Sequence, residues 1–127
     1  MGVTVGMFAL VVDDYVRGVA FYRDAIGLEL IEDTDMGGGK RWVVLEGNGG
    51  ARVLLAKAAD AIQAQAIGKQ TGGRVGFFLT TDDFDADYAS FVRAGVTFLE
   101  SPRHEAYGSV AVFEDPFGNK WDLIQPR

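Results

Sequence analysis

One order of elements is written twice in this chain, and that repetition constrains the fold more than any other feature. An apolar run from Val5 to Val12 ends in Asp13-Asp14. Tyr15 to Ile26 follows with helical spacing, which puts Val19, Tyr22 and Ile26 on one face. Asp14 is placed to cap that helix and Gly27 to end it. Arg74 to Thr81 repeats the opening run and ends in Asp82-Asp83. Phe84 to Ala94 repeats the helix, with Phe84, Tyr88, Phe91 and Val92 on one face, and Gly95 stands where Gly27 stood. After the first helix the pattern predicts strands over 28–32, 40–46 and 51–57, with 33–39 a loop around three consecutive glycines. After the second it predicts a strand over 96–100, a loop over 101–108 and a closing hairpin. A period this long is no solenoid; it is a duplicated βαβββ module.

The closing hairpin has the most explicit turn chemistry. Pro116 presets the backbone for a reversal, and Gly118-Asn119 tolerates the positive angles it needs. Ser109 to Phe113 leads in, and Trp121, Leu123 and Ile124 lead out. Within that apolar strand sits Asp122, a carboxylate that needs a partner if it is buried. Residues 58–73 link the modules, with an alanine-rich helix expected over 59–67.

At 127 residues the chain is read as a single domain, 1–127, with modules over 1–57 and 74–127. A net charge of -6 argues against nucleic acid as a partner, since phosphate binding needs a basic face. The absence of cysteine removes disulfide and thiolate chemistry and fits a cytoplasmic location. The apolar start is too short to span a bilayer and lacks the basic leader of a secretory signal, so no membrane association is expected.

Leu10-x-Val12-x-Asp14, Phe21-Tyr22 and Gly27-Leu28 in the first half resemble the vicinal oxygen chelate superfamily, the group of glyoxalase I, bleomycin-resistance proteins, fosfomycin-resistance proteins and extradiol dioxygenases. Asp83-x-Asp85, Ala94-Gly95-Val96, Tyr107-Gly108 and Asp115-Pro116-x-Gly118-Asn119 extend the resemblance through the second half. It implies an α+β fold of two tandem βαβββ modules whose sheets curl into a partly open cavity. It does not imply one reaction, because the superfamily hosts several chemistries. Metal-using members draw ligands from four strands. Carried over one at a time, those positions fall on Met7, Leu54, Gly76 and Asp122. Only Asp122 offers an oxygen donor; a thioether does not suit a hard cation, and leucine and glycine offer nothing. The expectation is therefore no metal and no cofactor.

Strand alternation puts Met7, Ala9 and Val11 on one face and Gly76, Phe78 and Thr80 on its counterpart. Because those faces hold the slots that the resemblance implies, they are expected to look into the cavity, joined by Leu54 and Asp122. Arg41 beside Trp42 suits an anionic or flat aromatic ligand, although alternation also allows one of them to face the core and the other solvent. In the 101–108 loop Tyr107 is a candidate to close over a ligand. His104, the only histidine, and Glu105 join Asp122 as candidate catalytic groups; an exposed loop histidine is the plainer reading of His104. The Asp82, Asp83, Asp85 and Asp87 run reads as helix capping and dipole complementation rather than a metal cluster. The leading expectation is a homodimeric protein that binds a small apolar or aromatic molecule without metal, as in the bleomycin-resistance branch. The alternative is a metal-dependent lyase or ring-cleaving dioxygenase of the same superfamily.

Overall fold

The computed structural model describes residues 2–127. The chain divides into two compact units, residues 1–67 and 68–127. The first unit contains β1 (Met7–Val12), α1 (Tyr15–Val19) running into a π-helical stretch (Ala20–Ala25), β2 (Glu29–Gly37), β3 (Lys40–Glu46), β4 (Arg52–Lys57) and α2 (Ala61–Gln65). Its strands form an open sheet in the order β1-β4-β3-β2. The second unit contains β5 (Phe77–Thr80), α3 (Phe84–Arg93), β6 (Thr97–Phe98), β7 (Arg103–Glu105), β8 (Gly108–Glu114) and β9 (Lys120–Pro126). Its sheet runs β5-β9-β8-β6, and β7 also pairs with β8.

Alternation decides which sheet face each unit covers. In the first unit the register aligns Leu10 with Leu55, Val43 with Leu55 and Leu45 with Val53, and all of these are buried. Tyr15, Val19 and Tyr22 bring their own buried side chains from the helix, where α1 meets β4. In the second unit Phe113 stacks on Trp121 with ring centres 6.1 Å apart, and Phe91 of α3 meets Phe113 edge-on at 5.7 Å. Burying each large apolar side chain contributes about 1.5–3 kcal/mol, so these rows hold the helix faces to the sheets.

Three local expectations are corrected. The 33–39 loop is strand: β2 continues to Gly37 along β3, and Gly38-Gly39 forms a two-residue turn. Backbone pairing to β3 holds this polar edge strand, with no apolar face of its own and register irregularities near Ile31 and Met36. The 101–108 loop contains β7, three polar residues held by pairing to β8, so the second module has one strand more than βαβββ. The helix expected over 15–26 is α-helical only at its start; the Ile26 N–H then donates to the Phe21 carbonyl, five residues back, at 3.0 Å.

The closing turn is fixed by Asp115, itself buried. Its carboxylate accepts the Phe117 and Asn119 N–H groups, both at 2.9 Å, and the Asn119 side-chain amide at 2.8 Å. Gly68 packs onto the Phe117 carbonyl at a φ of +71°, where any Cβ would overlap that oxygen.

Candidate functional site

On the second unit, the sheet face away from α3 carries Phe78 directly opposite Asp122. Phe78 is 60% exposed, an unusual position for a phenylalanine in a strand. Asp122 is half-buried, and its Oδ1 is buried without any hydrogen-bond partner. A buried carboxylate oxygen left unpaired costs free energy, so it marks a place where a donor belongs. Desolvation pushes the Asp122 pKa up; the Arg103 guanidinium opposes that and the Glu100 carboxylate reinforces it.

Arg103 is the centre of a polar network beside them. Its Nε donates to Glu100 at 3.0 Å, and its Nη1 to Glu105 at 3.1 Å and to the Tyr107 hydroxyl at 3.4 Å. Glu100 in turn accepts the Val112 N–H at 3.0 Å, and Val112 is paired with Asp122 across β8 and β9. These partners hold the Arg103 pKa far above the ordinary arginine value. Glu105 and Tyr107 are thus brought together as ligands of one guanidinium. His104 alternates to the other side of β7, where Nδ1 lies 2.9 Å from the Ser109 hydroxyl and the ring meets Phe84 of α3 edge-on. It therefore does not share a face with Asp122.

The positions matching the superfamily's metal slots offer a poor fit to a metal. In the first unit Ala9 pairs with Leu54, and Met7 lies two residues away on the same face; none is a hard-cation donor. In the second unit the space beside Gly76 is filled. A Cβ built there would overlap the Thr71 methyl and come 2.9 Å from the Thr71 Cβ. Thr71 is fixed by donating its hydroxyl to the Arg74 carbonyl at 2.6 Å. Among the described residues no three His, Cys, Asp or Glu side chains gather where a metal ion would be held.

The first unit has a cleft of its own, of about 550 Å³, where two strands part. β3 and β4 are paired only from Val43–Leu55 to Leu45–Val53, yet β3 begins at Lys40 and β4 runs on to Lys57. Beyond the last pair, β3 follows β2 and β4 follows β1. Tyr15 enters the gap, and its hydroxyl accepts the Arg41 N–H at 3.2 Å. Alternation separates the two residues that the sequence set side by side. Trp42 shares the face of Val44 and Leu54, while Arg41 shares that of Val43. There the Arg41 guanidinium makes a bidentate ion pair with Asp33 and lies 5.2 Å from the centre of the Tyr15 ring. That pairing holds the Asp33 carboxyl below its ordinary value.

Tyr15, Lys57 and the Glu100–Arg103 pair escaped the sequence reading as functional positions, whereas Thr71, which the linker offered for the cavity mouth, packs against Gly76. Tyr15 looked like any residue of a buried helix face. Arg103, set between Glu100 and Glu105, carried a legible signal in its flanking acids. The acidic run behaves as expected: the Asp83 carboxylate accepts the Ala86 N–H at 3.3 Å and caps α3.

Comparison with known proteins bears on this geometry. A family model described as Glyoxalase/Bleomycin resistance protein/Dioxygenase superfamily matches residues 4–123. An uncharacterized protein of Shewanella frigidimarina is 48% identical over 120 residues, covering 92% of this chain and 89% of that protein. Among solved structures, UcmS2 superposes with a TM-score of 0.83 at 26% identity, with 98% of each chain covered. TnmS3, an antibiotic binding protein from Streptomyces sp. CB03234, gives 0.80 at 29% identity, covering 100% of this chain and 99% of its own. Among the described residues no helix is long and apolar enough to cross a membrane.

Proposed function

We propose, for a chain that belongs to the Glyoxalase/Bleomycin resistance protein/Dioxygenase superfamily, a binding function: it holds a small apolar or aromatic molecule on an uncovered sheet face and uses no metal. The observation that carries this reading is the pair formed by Phe78 and Asp122. An exposed ring offers a stacking surface, and beside it a buried carboxylate oxygen lacks a donor. A flat ligand bearing an O–H or N–H group satisfies both at once. Stacking covers the Phe78 ring, and the ligand's donor meets the half-buried Asp122 carboxylate. Arg103, held by Glu100, Glu105 and Tyr107, supplies the counter-charge when Asp122 is ionised. Likeness to an antibiotic binding protein supports a small-molecule ligand.

The donor set supports the metal-free form of the reading. One carboxylate, with Thr71 seated against Gly76, does not make up the three protein ligands of a catalytic zinc site. The reading is tested by a thermal-shift screen of planar aromatic compounds, since a ligand of the folded state raises the melting temperature. The expected hits carry a hydrogen-bond donor and lose their effect in Phe78→Asp and Asp122→Ala. Elemental analysis of protein purified without chelator is the complementary test. A stoichiometric divalent metal that disappears in Asp122→Ala would replace this reading with the metal-dependent enzyme.

A further inference from the structure

We propose that the cleft at the parted ends of β3 and β4 takes the anionic end of a flat aromatic ligand. This is a second site, on the first unit, and it stands apart from the Phe78–Asp122 reading.

Several polar side chains that line the cleft carry hydrogen-bond donors without acceptors. Lys40 and Lys57 both line it, and among the described residues neither ammonium group takes part in an ion pair or side-chain hydrogen bond. The Tyr15 hydroxyl accepts from the Arg41 N–H, and its own proton has no acceptor. Gln63 has its carbonyl oxygen occupied by the Ala59 N–H at 2.8 Å, which leaves its amide as a donor. Of the β2 carboxylates beside it, Asp33 is paired with Arg41, and Asp35, opposite Arg41 in the strand register, accepts the Gly37 N–H at 2.8 Å. In a chain of net charge -6, this is a locally cationic recess. Its wall is flat and apolar, with Trp42, Leu54 and Ala56 on one side. Two unpaired ammonium groups and a phenol with an unused O–H, in a cleft that also has an indole in its wall, match a planar aromatic body bearing a carboxylate or phenolate. The volume of about 550 Å³ is that of a small-molecule pocket.

The test compares two probes of the same shape, 2-naphthoate and its neutral amide 2-naphthamide, titrated into the full chain. Binding is read from the indole N–H resonances, with Trp42 identified by its loss in Trp42→Phe. The expected result is a shift of the Trp42 signal by naphthoate, with the buried Trp121 signal unmoved. Naphthoate should bind about tenfold more tightly than naphthamide in low salt, and that preference should shrink as salt screens the ammonium groups. Lys40→Gln with Lys57→Gln, both surface changes, should bring naphthoate down to the level of naphthamide. Tyr15→Phe should weaken naphthoate by roughly threefold to tenfold. Equal binding of both probes at Trp42 would overturn the anionic assignment while leaving the binding function intact. No shift of Trp42 by either probe would overturn the cleft as a site; the binding function would still be judged on the second unit by Phe78 and Asp122.

Discussion

The methyl group of Thr71 occupies the place where a side chain on Gly76 would begin. The position on which the sequence resemblance sets a metal ligand is here filled by a residue of the linker. Gly76→Ala should destabilise the protein by about 1–3 kcal/mol through overpacking. Thr71→Ser, which removes the methyl but keeps the hydroxyl on the Arg74 carbonyl, should recover part of that loss in the double variant. Denaturant unfolding of the two single variants and the double variant measures the coupling; strict additivity would contradict the contact.

Asp122 gives a prediction about pH. Burial raises its folded-state pKa, so the folded protein holds this proton more tightly than the unfolded chain does. Its contribution to stability is therefore full below the ordinary carboxylate pKa and is lost as pH rises through the raised value. Asp122→Asn should remove that decline. The variant should be more stable than the parent at pH 7 and gain nothing at pH 3.5, as urea midpoints at the two pH values would show. An equal effect at both would mean that Asp122 does not titrate in this way.

Replacing Phe78 with aspartate puts a second carboxylate beside Asp122 on an already exposed position. The fold should persist, because the ring is not part of the buried core. Binding of any ligand found by thermal shift should fall at least tenfold, from lost stacking and like-charge repulsion. Circular dichroism checks the fold and calorimetry the affinity. Undiminished binding would move the site away from this face.

Self-association is the fourth expectation. Two chains pairing about a two-fold axis is the commonest arrangement for small proteins, and open sheets leave edges that pairing protects. Sedimentation at micromolar concentration should give twice the chain mass of 13.7 kDa. A monomer mass would defeat this.

The fold was legible wherever side chains pattern against a core. The alternation of Leu10 and Val12, the spacing of Phe84 and Phe91 and the Asp115–Asn119 turn chemistry all pointed to elements that are present. It was illegible where backbone pairing alone holds the chain. Glu32 to Met36 and Arg103 to Glu105 have no apolar face, yet each is strand because a better strand lies beside it. The π-helical stretch was equally hidden, since one inserted residue leaves Val19 and Tyr22 on a buried face. For the site, strand alternation placed Phe78 with Asp122 and Ala9 with Leu54. It set Arg41 and Trp42 on opposite sides, an outcome the sequence had left open. Nothing in sequence order announced that Tyr15 would enter the gap between two later strands and take the N–H of Arg41, 26 residues further on.

Strand β2 has one more consequence. It is nine residues long, lies at a sheet edge and is largely exposed, a template on which another chain could add a strand. It also carries Glu29, Glu32, Asp33 and Asp35. A second copy adding in antiparallel fashion would bring carboxylates up against carboxylates, and the irregularities near Ile31 and Met36 would break its register. That protection is ionic, so it has a pH limit. Near the isoelectric point of about 4.6 the carboxylates begin to protonate and the net charge vanishes together. Concentrated solutions should turn turbid there, with fibrillar order if this edge is the one that opens.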